Sequence, residues 1–195
     1  ATAAGPSEEK VAKARKKVGL EKIIVKPSEI RFREAGMSLT LNGIAQGFLT
    51  DRLSEVLTGE FGCQSALVNL GEFRAIGNHP DRRPWKVGIA HPDEPTKIID
   101  KVSITDRGLA TSGGYGYRFD PEGRFHHLFD PDGGQFQSAR RSITVVASTA
   151  ALADGLATAG AVMDWNSFRD AAAAIGELEL RTYEGDQLAD MVSFP

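Results

Sequence analysis

Hydrophobic and polar residues follow two different periods along this chain, so short strands and amphipathic helices are interspersed. Helical spacing predicts four helices, at about 7–19, 44–57, 148–163 and 167–175. Alternating or β-branched runs predict short strands at about 22–25, 30–33, 65–69, 73–76, 85–89, 98–105, 109–111, 115–119, 125–129, 143–147, 178–183 and 188–192. Many short strands beside few long helices favour an α+β fold, with antiparallel sheets and packed helices, over a doubly wound parallel sheet.

Turn residues support several of these boundaries. Pro27-Ser28 predicts the turn of a first hairpin, and Glu184-Gly185-Asp186 predicts the turn of a last one. The second helix places Phe48, Leu49, Leu53 and Val56 on one side and is expected to stop at Gly59, whereas Ser148 or Thr149 caps the third helix.

Composition is that of an ordinary folded domain. The 195 residues are 41% hydrophobic and 25% charged, and the net charge of −3 provides no basic field for nucleic acid. A single cysteine, Cys63, rules out an internal disulfide, and no apolar run approaches the ~20 residues of a membrane span. Residues 1–6 are small and indicate a linker or a cut end, so we expect one domain over 7–195.

The third helix carries a carboxylate and a hydroxyl in an otherwise small and apolar segment. Asp154 and Thr158 are four residues apart and therefore lie on the same face of the helix. A buried carboxylate is costly unless it is paired or binds a cation, and two hard oxygens favour Mg²⁺ or Ca²⁺ over zinc. The alternative is a capping network, in which Asp154 accepts first-turn amides and Thr158 bonds back to a carbonyl.

In two further segments, residues that could take part in binding or catalysis lie next to turns. Residues 39–52 begin as a strand and continue into a helix, with Gly43 and Gly47 near the junction, where a backbone can approach a ligand closely. Residues 126–134 form a strand-like run that contains His126 and His127 and ends in a Pro-Asp-Gly turn.

Five segments together resemble the ApbE family of FAD:protein FMN transferases, from about Ser7 to the end of the chain. They are Leu-Asn-Gly-Ile-Ala-Gln-Gly-Phe at 41–48 with Asp51, Val-Asn-Leu-Gly-Glu at 68–72, Ala-Thr-Ser-Gly at 110–113, His-Leu-Phe-Asp-Pro at 127–131 and Ala-Asp-Gly-Leu-Ala-Thr-Ala at 153–159. The residue patterns at 41–47 and 71–75 most resemble the NosX branch of the family.

This resemblance implies a two-layer architecture related to the T-fold. It also implies Mg²⁺-dependent transfer of FMN from FAD, which is the substrate, to a serine or threonine hydroxyl of a target flavoprotein, with release of AMP. The implied location is the periplasm or another extracytoplasmic face, and membrane anchoring is expected only through an N-terminal segment that precedes this chain in the family.

The chain departs from the family pattern at several positions. Thr40 replaces a leading aspartate, Gln46 replaces a lysine, and Gly71-Glu72-Phe73 stands in place of Gly-Gly-Asp. Gln46 can donate hydrogen bonds but cannot neutralise phosphate. The family's additional N-terminal segment has no match here, so we expect weak FAD binding. These departures favour the alternative of a maturation accessory protein, similar to NosX, that binds FAD without transferring FMN.

The resemblance also implies a set of site residues. Asp154, Thr158 and the carbonyl near Gly43 would bind Mg²⁺, and His127 would be the base that activates the acceptor hydroxyl. The residues expected to bind the flavin nucleotide are Asn42, Gln46, Asp51, Gly71, Glu72, Thr111, Ser112 and Gly113.

Alternatives remain open at some of these positions and their neighbours. His127 could be satisfied by a neighbouring backbone group, and His126, on the opposite strand face, is expected to be peripheral. Asp51 could meet the adenosine end of FAD or be an exposed helix aspartate. Asp130 is expected to fix the turn before Pro131.

Overall fold

The computed structural model describes residues 7–117, 126–131 and 141–195. These residues belong to two compact units. The first unit draws on Ala1–Thr40 and Phe129–Gln135, and the second on Leu41–Leu128 and Phe136–Pro195. The predicted terminal linker at 1–6 lies outside the described residues.

The first unit contains a short helix and a hairpin. Helix α1 (Glu8–Arg15) ends before the predicted boundary at Gly19, and Gly19, with a φ of 143°, precedes a 3₁₀ turn at Leu20–Lys22. Strands β1 (Ile23–Lys26) and β2 (Glu29–Phe32) pair around Pro27-Ser28, so the predicted hairpin is confirmed.

The second unit contains the remaining elements. Its helices are α2 (Ala45–Gly59), α3 (Ala150–Val162) and α4 (Trp165–Ala173). Its strands are β3 (Ala66–Asn69), β4 (Phe73–Ile76), β5 (Trp85–Ala90), β6 (Ile98–Ile104), β7 (Gly108–Gly113), β8 (Arg141–Ala147), β9 (Leu178–Glu184) and β10 (Gln187–Phe194).

The described strands of this unit form a six-stranded antiparallel sheet in the order β10-β9-β8-β7-β4-β3, and β5 pairs with β6. This arrangement confirms the predicted α+β class with antiparallel sheets and packed helices. Within the part of the chain that the structure describes, no helix is long and apolar enough to cross a membrane.

Two hydrophobic clusters cover opposite faces of the six-stranded sheet. Along β8, Ile143 and Val145 pack in the cluster that contains α3 and α4, whereas Val146 packs in the cluster formed with β5 and β6. Strand β8 is consequently almost fully buried, as expected for a central strand whose two faces are both covered.

Helix α2 buries small and polar residues. Gly47, Thr50 and Ser54 are its buried positions, whereas Phe48 and Leu49 are 55% and 56% exposed. The side on which Phe48 and Leu49 lie is therefore the outward side. A small inward face lets α2 approach α3 closely, which determines the geometry of the candidate site.

Most predicted strands are confirmed within one or two residues, and β4 matches its prediction at both ends. The strands predicted at 115–119 and 125–129 are wrong in their described parts. Gly114–Gly116 form a 3₁₀ turn, which the two glycines permit, and His126 makes only an isolated β-bridge. The remainder of both predictions, at 118–119 and 125, lies outside the described residues.

Candidate functional site

Two antiparallel helices form the framework of the site. Helix α2 lies against α3 through Gly47, and a Cβ built on Gly47 would lie 2.4 Å from the carbonyl oxygen of Ala150. Helix α3 presents buried Ala150, Ala153 and Asp154 among its small residues. Because side chains on both inner faces are small, the two backbones come close enough for side chains of one helix to reach amides of the other.

Successive turns of the two helices are matched. Asp51 accepts the Ala150 amide at 2.9 Å, and Asp154 accepts the Gly47 amide at 3.0 Å. One turn further, a Cβ built on Gly43 would lie 3.5 Å from Thr158 Oγ1. Each step moves four residues back along the α2 segment and four forward along α3, so the helical repeat brings the predicted metal-binding residues together.

Asp154 is buried in this interface. It is 4% exposed, and burial raises its pKa, an effect that the Gly47 amide partly offsets. The capping alternative is met in one respect, since Gly47 lies in the first turn of α2. The N-cap of Asp154's own helix is Thr149, whose Oγ1 accepts the Leu152 amide at 3.1 Å.

Thr158 lies beside the end of strand β7. Its Oγ1 is 3.3 Å from Ser112 Oγ, so the hydroxyls of two predicted site residues are in hydrogen-bond contact. Thr111 Oγ1 instead lies 2.8 Å from Thr144 Oγ1 on the neighbouring strand. Of the two hydroxyls at this strand end, that of Ser112 therefore faces the Asp154 region. Gly113 follows, and a Cβ built on it would lie 2.4 Å from the ring of Tyr115.

Glu72 places a second buried carboxylate in the same environment. It is 8% exposed, and burial together with the charge of Asp154 raises its pKa to about 8, although a hydrogen bond from the Thr111 amide favours ionisation. Burial and the charge of Glu72 in turn raise the pKa of Tyr115, whose hydroxyl is hydrogen-bonded to Ser142.

Gln46 lies over the turn that precedes Glu72. Gly71 has a φ of 112°, and a Cβ built on it would lie 2.6 Å from Gln46 Nε2. The Gly71 amide donates to Asn69 Oδ1 at 3.0 Å. The structure thus brings Gln46 and Gly71 together, as predicted for one site, and Asn42 lies exposed in the turn that leads into α2.

Asp51 has a structural environment that neither sequence alternative anticipated. Its side chain is 14% exposed, so it is not an exposed helix aspartate. Both carboxylate oxygens accept backbone amides at the start of α3, from Ala150 at 2.9 Å and Ala151 at 2.8 Å. Contact with adenosine remains a prediction, but the buried position of Asp51 is already explained by these two bonds.

The two histidines have different environments. His127 is exposed, and its Nδ1 lies 3.3 Å from the Tyr117 carbonyl oxygen, which can only accept, so the Nδ1 proton is donated to it. His126 is 2% exposed and its Nδ1 accepts the Leu128 amide at 3.3 Å. The ring of His126 packs against Gly114, and its peripheral role in the chemistry stays a prediction. Asp130 belongs to the first compact unit.

Comparison with known proteins decides the family. The family model described as "ApbE family" matches residues 1–181. The chain belongs to the ApbE family. A relative named FAD:protein FMN transferase, from Treponema pallidum, is 35% identical over 154 residues, which are 71% of this chain and 41% of the relative. Another of that name, from Haemophilus influenzae, is 32% identical over 165 residues, which are 78% of this chain and 46% of the relative.

Solved structures agree with this assignment. The ApbE protein from Thermotoga maritima superposes with a TM-score of 0.80 at 29% identity, covering 98% of this chain and 62% of that one. The flavin transferase ApbE from Vibrio cholerae gives a TM-score of 0.79 at 26% identity, covering 100% of this chain and 62% of that one. The chain spans about half the length of these curated relatives.

The residues of this ApbE-family chain fit a hard divalent cation. Among residues 7–117, 126–131 and 141–195, no group of three or more His, Cys, Asp or Glu side chains could hold a metal. A cation would therefore depend on Asp154 together with a hydroxyl and backbone carbonyls, which are oxygen ligands typical of Mg²⁺ and not of zinc. The buried carboxylates of Asp154 and Glu72, with pKa values raised by burial, are the groups that a cation would stabilise in their ionised form.

Proposed function

We propose that this chain supplies the cation and phosphate portion of an FAD:protein FMN transferase site. In the full reaction, FMN passes from FAD to a serine or threonine hydroxyl of a target flavoprotein, and AMP is released. The observation that carries the proposal is the buried Asp154 carboxylate, held against the first turn of α2 with Thr158 one turn further along α3. Membership of the ApbE family supports the same assignment.

The reaction exchanges a phosphoanhydride bond of FAD for a phosphoester bond to the acceptor hydroxyl. The acceptor oxygen forms a bond to the phosphorus of the FMN portion, the bond from that phosphorus to the bridging oxygen breaks, and AMP leaves with that oxygen. Most of the catalytic task is to offset phosphate charge and align the attack. Bound Mg²⁺ would supply positive charge at the phosphoryl oxygens, and we assign Asp154, Thr158 and the Gly43 carbonyl to hold it.

Hydroxyls and amides around that position would orient the pyrophosphate. Ser112 Oγ is in contact with Thr158 Oγ1 at 3.3 Å, and this contact supports a role for the end of β7 beside the residues that we assign to the cation. Gln46 lies over Gly71 and can donate from its amide nitrogen. Charge neutralisation in this chain would consequently fall on the cation, because Gln46 carries no charge where the family pattern has lysine.

We assign the base role to His127. Its Nδ1 proton is donated to the Tyr117 carbonyl, so a neutral ring has its lone pair on Nε2. Nε2 would accept the proton of the acceptor hydroxyl as the new bond forms. His126 is unsuited to this role, since it is buried and its Nδ1 already accepts a backbone amide.

The alternative function is FAD binding without transfer, as in a maturation accessory protein. Gln46 favours it, because a phosphate neighbour without charge contributes less to the transition state than lysine. The departure at Glu72-Phe73 from the Gly-Asp of the family pattern favours it as well. The family resemblance also implies an extracytoplasmic location for either function, which cell fractionation would test.

Product analysis separates the two functions. Purified protein is incubated with FAD and Mg²⁺, with or without a flavoprotein domain that carries a serine or threonine acceptor, and AMP and protein-bound flavin are measured. Transfer predicts AMP and a fluorescent protein band, both abolished by EDTA and by Asp154→Asn but not by Asp186→Asn at the surface. FAD binding without AMP in every condition would contradict transfer and support the accessory function.

A further inference from the structure

Helix α3 begins on an acid that belongs to another helix. Asp51, in the middle of α2, accepts the Ala150 amide with Oδ1 and the Ala151 amide with Oδ2, at 2.9 and 2.8 Å. The first amides of an α-helix have no partner within the helix, so an outside acceptor determines where the helix starts. In α3 that acceptor is 99 residues away along the chain from Ala150.

The remaining groups at this end are satisfied locally. Thr149 Oγ1 accepts the Leu152 amide, and the Ala153 amide donates to the Thr149 carbonyl at 3.1 Å, which is the first regular helical bond. Asp51 therefore provides the two bonds that connect the first turn of α3 to α2, while Thr149 provides the ordinary cap.

Arg74 on β4 reinforces the connection. Its guanidinium donates to the Ser148 carbonyl, and its Nε lies 3.9 Å from Asp51 Oδ1. The arginine and the aspartate thus hold the residues on both sides of Thr149. Asp51 and Arg74 side chains are 14% and 23% exposed, so solvent competes with these contacts less than at an open surface.

The spacing along both helices connects the bonds of Asp51 to the positions of the candidate cation-site residues. Asp51 and Gly47 are one turn apart on α2, as are Ala150 and Asp154 on α3. Fixing Ala150 against Asp51 therefore fixes Asp154 against Gly47, and the next turn brings Thr158 to Gly43.

We propose that Asp51 is a positioning residue, which sets the register of α3 along α2 and thereby the place of Asp154 and Thr158. The inference rests on the proposed function, because it assigns Asp51 to the cation site and not to the adenosine of FAD. Residues that orient metal ligands typically change metal affinity by about 10–100-fold when they are substituted.

A matched pair of aspartates tests the proposal. Asp164 caps α4, where its Oδ1 accepts the Ser167 amide at 3.0 Å, and α4 carries none of the candidate site residues. Asp51→Ala and Asp164→Ala each remove an acid that accepts first-turn amides. Mn²⁺ affinity is measured by electron paramagnetic resonance at a temperature below the thermal unfolding of each variant. It should fall about 10–100-fold in Asp51→Ala and stay unchanged in Asp164→Ala.

Hydrogen exchange provides a readout that does not require a cation. In Asp51→Asn one side-chain oxygen remains and the other acceptor becomes a donor, so the fold should persist while α3 loses one bond. Exchange at the Ala150 and Ala151 amides should accelerate, and Mn²⁺ affinity should fall by less than in Asp51→Ala. If Asp51→Ala does not fold, Asp51→Asn carries the test.

The outcomes separate this inference from the proposed function. If Mn²⁺ does not bind to the unsubstituted protein, or binds equally well to Asp154→Asn, the proposed cation site is contradicted. Normal Mn²⁺ binding there, unchanged in both Asp51 variants, would overturn the positioning role alone. Loss of AMP binding in Asp51→Asn with unchanged Mn²⁺ affinity would likewise overturn it, in favour of adenosine contact.

Discussion

Asp154 Oδ2 accepts the Gly47 amide at 3.0 Å across the interface between α2 and α3, joining residues 107 positions apart. The same carboxylate thus accepts a first-turn amide of α2 and, in the proposed function, would also bind the cation. A first-turn amide favours the ionised carboxylate, whereas burial opposes it, and the net effect is a raised pKa.

Substituting Asp154 should separate these two tasks. In Asp154→Asn the side-chain oxygen still accepts the Gly47 amide, so the helix pair should persist, while the buried charge is lost. We expect Mg²⁺ affinity, measured by titration calorimetry, to fall at least about tenfold. The thermal midpoint should hold or rise, because an uncompensated buried charge is removed.

Asp186→Asn is the control for this change, since Asp186 pairs with Lys97 at the surface. It should leave Mg²⁺ affinity unaltered. Equal Mg²⁺ binding by Asp154→Asn and the unsubstituted protein would exclude Asp154 as a ligand.

Close helix packing predicts a contrast between two glycines of α2. The Cβ of Gly47→Ala would meet the Ala150 carbonyl oxygen at 2.4 Å and the Ala151 Cα at 2.8 Å, so the helices must separate. We expect a loss of about 1–3 kcal/mol in the free energy of unfolding. Gly59→Ala, where a Cβ meets nothing within 4 Å, should instead stabilise by up to about 1 kcal/mol.

Urea denaturation of both variants measures this contrast, and Mg²⁺ affinity should fall only in Gly47→Ala. A Gly47→Ala protein as stable as Gly59→Ala would show that α2 and α3 approach less closely than described.

Glu72 predicts a pH dependence of stability. Its folded pKa of about 8 exceeds the ordinary value of 4.5, so the folded protein keeps a proton that the unfolded chain has released. This contribution to stability is complete below pH 4.5 and is lost as pH rises through 8. One such proton gives a decline of at most about 1.4 kcal/mol per pH unit.

Denaturant unfolding without divalent cations, at several pH values, should therefore show a shallower decline in Glu72→Gln. Glu55→Gln, on the exposed side of α2, should retain the original slope. The same slope in all three proteins would mean that Glu72 ionises normally in the folded state.

The sequence predicted the helices and strands better than the contacts between them. Local patterns were sufficient for β4 and for the hairpin at Pro27-Ser28, because turn residues and alternation act over a few positions. The proximity of Glu72 and Asp154 depends on how the β3–β4 turn meets the α2–α3 pair, which no local pattern encodes. The partners of Asp51 were not anticipated for a related reason, since they are backbone amides, and any residue except proline supplies an amide.

The inward face of α2 shows a second limit. Helical spacing grouped Phe48, Leu49 and Leu53 on one side, and burial of large apolar residues is the usual expectation. The structure buries Gly47 and Thr50 instead, because close contact with α3 requires small residues. Gly47 at the helix start was the signal for this packing.

The two histidines should respond differently to the same substitution. His127→Asn should lower turnover by about 10²–10⁴-fold with FAD affinity retained, because the exposed ring is assigned to proton transfer and not to binding. His126→Asn should mainly lower the thermal midpoint, since that ring is 2% exposed and packs against Gly114. Parallel losses of FAD affinity and turnover in His127→Asn would make His127 a binding residue.

Gln46 allows a test of the flavin phosphate position by gain of function. In Gln46→Lys the ammonium would enter the space over Gly71, close to the pyrophosphate position, and restore the charge found in the family pattern. We expect weak FAD binding by this chain. In Gln46→Lys, the FAD affinity measured by flavin fluorescence should rise and should depend more steeply on salt concentration. Gln64→Lys, an exposed substitution outside the candidate site, controls for the added charge. If Gln64→Lys raises FAD affinity equally, the gain comes from overall charge; if neither does, Gln46 does not face the phosphates.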